Sequence, residues 1–236
     1  RIFNKEKKDN LINMNRPFIY MNSAVSLDGK ISTFERKQVK ISNEQDMQRV
    51  DRLRAESDAI LVGSNTVAID DPKLTVKSEG LRKDRVNKGL PENPVKVMVG
   101  SIRDLKLESD FLDYGNAEKI IFTTKKEDPE KISGLKEKAR VFTLGETRVD
   151  LGEMVEVLGE LGIKRIMVEG GGTLNYRMLK EGLVDEVYVA VASKIFGGRS
   201  APTLVDGEGF NRDNIINLEL IDINKLGDVI VLRYKV

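Results

Sequence analysis

The chain has 236 residues, with 39 Lys plus Arg against 38 Asp plus Glu and a formal net charge of +1. That balance argues against a nucleic-acid binder, which carries a strong basic excess, and no apolar run approaches the ~20 residues of a membrane span. There is no His and no Cys, which removes Ser-His-Asp triads, thiol nucleophiles, disulfides and Cys/His zinc sites together.

Residues 1–15 are polar and charged, unlike a signal peptide. They are expected to form a flexible arm, with a trimmed start because residue 1 is Arg, ahead of one domain over 16–236. The first strand is expected at 17–24. Ser42 then has capping-box spacing to Gln45 and opens a helix with Met47, Val50 and Leu53 on its apolar face. A second strand, 59–62, ends in Gly63-Ser64 and a short helical turn that Asp71-Pro72 stops. The polar, basic stretch 77–93 reads as a long surface loop. Strands follow at 95–99, 119–123 and 140–143. Asp150 to Glu153 repeats the capping logic before Met154, Val157, Leu158 and Leu161. A strand at 165–168 leads into a helix over 173–180, which Gly182 ends. Strands at 186–192, 218–223 and 229–234 close the chain. Continuous β-branched runs such as Ile60-Leu61-Val62 suit strands covered on both faces. The expected fold is therefore α/β: one domain with a mixed, mostly parallel central sheet flanked by helices, antiparallel at its C-terminus.

The strongest local feature is 166–174, a buried strand, then Gly170-Gly171-Gly172, then a helix start at Thr173-Leu174. Glycines let the backbone approach a ligand, and free N–H groups at a helix N-terminus suit a phosphate. The spacing is not that of the Rossmann fingerprint. The turn at Gly63-Ser64 alone is an ordinary helix start, but two such turns suggest the two ends of a dinucleotide. The Asp28-Gly29 pair signals a tight turn. Ser101 and Arg103, after the strand 95–99, suit either a phosphate or a solvated loop. Lys194 to Arg199 contains a glycine bend that suits a β-corner equally well. No acidic cluster has metal-loop spacing, so no metal site is expected.

In their order and spacing these segments resemble the reductase domain of riboflavin biosynthesis, which has the dihydrofolate-reductase-like fold. The matching pieces are Ser26-Leu27-Asp28-Gly29-Lys30, Leu53-Arg54-Ala55, Gly63-Ser64-Asn65-Thr66 with Asp70-Asp71-Pro72, and Leu74-Thr75-Val76. Glu169 to Leu174, Gly182 to Glu186 and Lys194 to Gly198 complete a series spanning nearly all of 16–236. The resemblance implies NADPH as cofactor, with NADH a poorer substitute. Thr66 and Asp70 would lie at its nicotinamide and ribose side, and Gly170, Gly171, Gly172, Thr173 and Leu174 around its diphosphate. Ser101 and Arg103 would lie near its 2′-phosphate. Asn22, Arg54, Leu74, Lys77 and Glu169 would contact substrate, with Arg54 and Lys77 toward a ribose phosphate and Glu169 as the catalytic carboxylate. Bacterial relatives often fuse this domain to a zinc deaminase, which a stretch without His or Cys excludes. The resemblance therefore points to the stand-alone archaeal or fungal branch, in which reduction precedes deamination. The expected reaction is reduction of 2,5-diamino-6-ribosylamino-4(3H)-pyrimidinone 5′-phosphate to its ribitylamino product by hydride transfer to C1′. Asn22 stands where uracil-using bacterial members more often carry lysine, and an amide can accept from a 2-amino group where lysine only donates. Relatives are commonly cytoplasmic homodimers that pair through the C-terminal sheet, and strand 229–234 would serve as either pairing or inner strand. The alternatives are reduction of the deaminated uracil analogue, dihydrofolate or pterin reduction, and non-catalytic nucleotide binding.

Overall fold

The computed structural model describes residues 16–236, so the expected arm at 1–15 lies outside the described residues. In chain order the elements are β1 (Phe18–Ser26), α1 (Glu44–Ala55), β2 (Ala59–Gly63), α2 (Ser64–Asp70), α3 (Glu79–Asn87), β3 (Val95–Val99), α4 (Asp110–Asp113) and β4 (Lys119–Thr123). Then follow α5 (Pro129–Lys136), β5 (Arg140–Thr143), α6 (Leu151–Glu160), β6 (Arg165–Gly170), α7 (Gly172–Lys180), β7 (Glu186–Ala192), β8 (Glu219–Leu226) and β9 (Val229–Lys235). The strands form one nine-stranded sheet in the order β5-β4-β3-β2-β6-β1-β7-β9-β8. All neighbours from β5 to β7 are parallel, and β9 pairs antiparallel with both β7 and β8. All nine expected strands are present.

Alternation along the strands sends side chains to two cores. Ile19, Met21, Ile166 and Val168 pack with Met154 and Leu158 of α6 and Met178 of α7 on one face. Ile60, Val62, Met98 and Ile121 pack with Leu74, Phe111 and Leu135 on the other. The β1 side chains that point to this second face are Tyr20, whose hydroxyl donates to Leu53 O of α1 at 3.1 Å, and Asn22. The middle of the sheet therefore carries a polar strip beneath α1, and the site is built there.

Two expectations need correction. The stretch 77–93 is not a loop throughout, because it contains α3. Its N-cap Ser78 accepts from Leu81 N, and the buried Arg85 guanidinium donates to the carbonyls of Pro91, Ala55 and Ser57 at 2.8 Å each. A helix docked by an arginine has no apolar stripe for periodicity to detect. The N-cap of α1 is Asn43 rather than Ser42. Its side chain accepts from Asp46 N while its Nδ2 donates to Leu226 O and Asp228 Oδ1, so a tertiary contact sets the boundary. Of the two places left open for 229–234 the inner one is found: β9 is an inner strand, and the edge is β8, whose Leu220, Ile221 and Ile223 are exposed.

Candidate active site

The C-terminal ends of β2 and β6, adjacent parallel strands, each run directly into a helix, β2 into α2 and β6 into α7. The crevice outside the carboxyl ends of parallel strands is where open α/β sheets hold ligands. Here it is a cleft of about 330 Å³ lined by Gly63 to Thr66, Asp70, Gly100, Gly171 to Leu174, Arg177 and the loop from Ile31 to Val39. Of the seven α-helices among the described residues, five have a side-chain N-cap, from Asn43, Ser78, Ser109, Asp128 and Asp150. The two without one are α2 and α7, both with glycine at the N-cap, and both begin in the cleft. Their first-turn N–H groups are left for a ligand, and an anionic one suits the positive end of the nine-residue α7.

Close packing forces the glycines. Gly170 has φ 99°, and the Gly170–Gly171 peptide is cis. A Cβ on Gly172 would stand 2.5 Å from Thr203 O and 3.0 Å from Asp206 Oδ2, so no side chain fits. Gly171 N donates to Thr66 Oγ1 at 3.0 Å, which welds the two turns together and leaves the threonine proton for a ligand. Burial pushes the Asp70 carboxyl up from its ordinary value.

Of the residues expected at a cofactor, Thr66, Asp70, Gly171, Gly172, Thr173 and Leu174 share this one cleft, with Gly170 entering its turn. Ser101 and Arg103 do not line it; they are exposed, and Arg103 N donates to Ser101 Oγ. The basic side chains that do line it are Arg36, Lys37 and Arg177, which sequence reasoning passed over. Arg177 lies one helical turn beyond Thr173, a spacing that could have found it. The Arg36-Lys37 pair gave no such signal. It reaches the cleft because its loop is tied down, through Arg36 Nη2 to Ser200 O and a bridge between Lys30 and Thr203.

One residue before the glycine turn, Glu169 meets Arg54 of α1 in a bidentate pair, Nε to Oε1 at 2.7 Å and Nη2 to Oε2 at 2.8 Å. Arg54 Nη1 also donates to Thr75 O at 3.1 Å. Burial pulls the guanidinium pKa down, but Glu169, helped by the charge of Asp51, outweighs it and the net shift is upward. Three of the guanidinium's five N–H donors are thus used, leaving one on each Nη. Both carboxylate oxygens of Glu169 accept from an arginine, which suits an orienting anion better than a proton donor. Asn22 and Glu169 each follow the last aligned pair of β1 and β6, Met21 with Val168. Asn22 Oδ1 accepts from Arg49 Nη2 at 2.8 Å, so the acceptor expected to read a 2-amino group is already engaged. Leu74 has φ 48° and is 1% exposed, packed into the core, so only its backbone is left to face a ligand. Lys77 is exposed; its main-chain N–H is held by Asp51 Oδ1 at 2.6 Å, and its ammonium has no partner among the described residues. No cluster of metal-binding side chains occurs among the described residues.

The fold, an open and mostly parallel α/β sheet with a crevice at its carboxyl ends, is that of an α/β domain with a ligand-sized cleft. Residues 17–232 match the RibD C-terminal domain, so the chain belongs to that family. It is 44% identical over 222 residues to the 2,5-diamino-6-ribosylamino-4(3H)-pyrimidinone 5′-phosphate reductase of Methanothermobacter thermautotrophicus, covering 94% of this chain and 99% of that one. The reductase of the same name from Archaeoglobus fulgidus is 45% identical over 195 residues, 83% of this chain and 89% of its own. Among solved structures, a pyrimidine reductase-like protein from Corynebacterium diphtheriae superposes with a TM-score of 0.79 at 19% identity, covering 95% and 94% of the two chains. That likeness establishes the shared fold. A reductase of this family implies a nicotinamide cofactor.

Proposed function

We propose that this chain reduces 2,5-diamino-6-ribosylamino-4(3H)-pyrimidinone 5′-phosphate to its ribitylamino product, with NADPH as the hydride donor. The observation that carries the reading is the pattern of caps: the two helices without side-chain N-caps open into one cleft, and the Arg54–Glu169 pair begins one residue from its glycine turn. The likeness in sequence to full-length archaeal reductases supports the choice of substrate.

The α7 N–H groups of Gly172, Thr173 and Leu174 hold the diphosphate, and Thr66 and Asp70 hold the ribose nearer the nicotinamide. Arg36, Lys37 and Arg177 supply the positive charge that an extra 2′-phosphate needs, which favours NADPH over NADH. The chemistry that bound NADPH supplies is hydride delivery to C1′ of the ring-opened imine. Glu169, fixed by Arg54, orients the ribosylamine; Lys77 and the two remaining Arg54 donors face its phosphate. With no His or Cys, the protein contributes orientation and exclusion of water rather than a nucleophile.

No helix among the described residues is long and apolar enough to cross a membrane, which agrees with a cytoplasmic reading. The exposed Leu220, Ile221, Ile223 and Ile230 on β8 and β9 support pairing of two copies at that edge. The test is loss of NADPH absorbance with the diaminopyrimidine ribosylamine phosphate, its uracil analogue and dihydrofolate in parallel. Turnover of the first is expected. Oxidation with neither pyrimidine would overturn the proposal.

A further inference from the structure

The polar strip beneath α1 carries one group that the reaction above does not use. Arg49 lies on α1 five residues before Arg54, and its side chain is 13% exposed. Its Nε donates to Asp46 Oδ1 at 2.7 Å, and Asp46 is fully buried. Its Nη2 donates to Asn22 Oδ1 at 2.8 Å. Arg49 Nη1 and Asp46 Oδ2 are sealed without a hydrogen-bond partner among the described residues. A buried pair that leaves two polar atoms unsatisfied is a poor way to stabilise a fold, so a function beyond stability explains it better.

A guanidinium has no acceptor, so of the two ends of the Asn22 amide only the oxygen can face Arg49. The NH₂ end must then face away. Asn22 is itself buried, yet its Nδ2 has no protein partner among the described residues and is not among the sealed atoms. That donor is left for a ligand. We infer that Arg49, anchored by Asp46, is a positioning residue that fixes the polarity of Asn22, so that this amide donates to a ring carbonyl of the bound pyrimidine. Asn22 then does what a lysine would do at that point, and it recognises a group that the diaminopyrimidinone and its uracil counterpart share. It does not read the 2-amino group. This rests on the substrate class proposed above.

The test compares wild type, Arg49→Met, Asn22→Lys with Arg49→Met, and Asn22→Asp. For each, KM and kcat are measured with the diaminopyrimidine ribosylamine phosphate, along with the inhibition constant of the uracil counterpart and NADPH affinity by fluorescence. Freeing the amide in Arg49→Met should raise KM about tenfold, the cost of roughly one lost hydrogen bond. Its kcat should stay within about twofold and its NADPH affinity should not change. The uracil inhibition constant should rise by the same factor. Adding Asn22→Lys supplies a donor that needs no orienting, and should return KM to within about threefold of wild type, a rescue that a purely structural arginine would not permit. Asn22→Asp keeps the shape and the Arg49 contact but removes the donor, so it should show the same KM rise even if Arg49→Met folds poorly. Unchanged KM in Arg49→Met or Asn22→Asp, absence of rescue in the double variant, or a rise confined to the diamino compound would overturn the inference alone. Wild type that oxidises NADPH with neither pyrimidine would overturn the parent reading and this inference with it.

Discussion

Replacing Glu169 with Gln tests the centre of the site in two independent ways. The carboxylate is bonded twice to Arg54 at 2.7 and 2.8 Å, and the two side chains are 15% and 16% exposed. The amide keeps one acceptor but turns a donor toward a donor, and it leaves the guanidinium charge with only Asp51 nearby to offset it. Breaking one partner of so enclosed a pair costs about 3 kcal/mol. In a domain of this size that corresponds to a fall in Tm of roughly 6–12 °C. Turnover should fall by at least about 100-fold if Glu169 also orients the ribosylamine. The double variant Glu169→Leu with Arg54→Met removes both charges, so it should recover most of the Tm while turnover stays lost. Calorimetry and NADPH oxidation on the three proteins are sufficient. A Glu169→Gln protein with wild-type Tm would show that the pair is not intimate, and one with wild-type kcat would remove Glu169 from the reaction.

Three further outcomes follow from particular contacts. Gly172→Ala puts a Cβ 2.5 Å from Thr203 O; moving that backbone costs about 1–3 kcal/mol and should weaken NADPH binding at least about tenfold, and an unchanged Kd by fluorescence titration would contradict the geometry. Lys96 is fully buried, and its ammonium donates to the carbonyls of Asp110, Phe111 and Tyr114 at 3.2, 3.0 and 2.7 Å. Lys96→Met strands all three, so its stability by urea unfolding should fall by about 3 kcal/mol, with NADPH affinity unaffected because neither Lys96 nor its three carbonyl partners line the cleft. Asp28 is held down to about 2, first by the Ser26 hydroxyl and then by the Phe196 and Gly197 amides. A carboxyl lowered on folding stabilises fully above its ordinary value near 4 and loses that contribution as pH falls toward 2. Hydrogen-exchange protection of the Phe196 and Gly197 amides should therefore drop over that window, and Asp28→Asn should show the unprotected state at neutral pH; equal protection in the two proteins would refute the clamp.

The strands were legible because burial on both faces leaves runs such as Val95-Lys96-Val97-Met98-Val99, and even the lysine within that run is sealed inside. The two glycine turns that line the cleft were legible as strand-to-helix junctions, and their occurrence as a pair, rather than either alone, singled them out. What escaped the sequence shares one property: it depends on partners distant in the chain. Helix α3 is docked by Arg85 to carbonyls about thirty residues away, with no periodic stripe to announce it. Arg36 and Lys37 reach the cleft through a loop tied down near Ser200. Asn22 was expected to read the base through its acceptor, but that oxygen accepts from Arg49, 27 residues on, a contact no local pattern announces.

That contact and the missing caps rest on the same accounting of donors and acceptors. Each capped helix here gains about 1 kcal/mol from its Asn, Ser or Asp, and such a residue stands at five of the seven helix starts among the described residues. Chance does not readily leave the two exceptions facing the same crevice. Packing explains only part of it: Gly172 has no room for a side chain, but Gly63 has φ −75°, and a Cβ there would meet Leu174 at an ordinary 3.6 Å. A serine or aspartate at 63 would fit the backbone and satisfy α2. Its absence forgoes stability that the fold could have had, as expected where free N–H groups are kept for a ligand. Likewise the sealed Arg49 and Asp46 atoms cost stability while leaving the Asn22 NH₂ aimed outward. In both places stability is forgone where the proposed ligands would find donors, the first-turn N–H groups of α2 and α7 and the Asn22 NH₂.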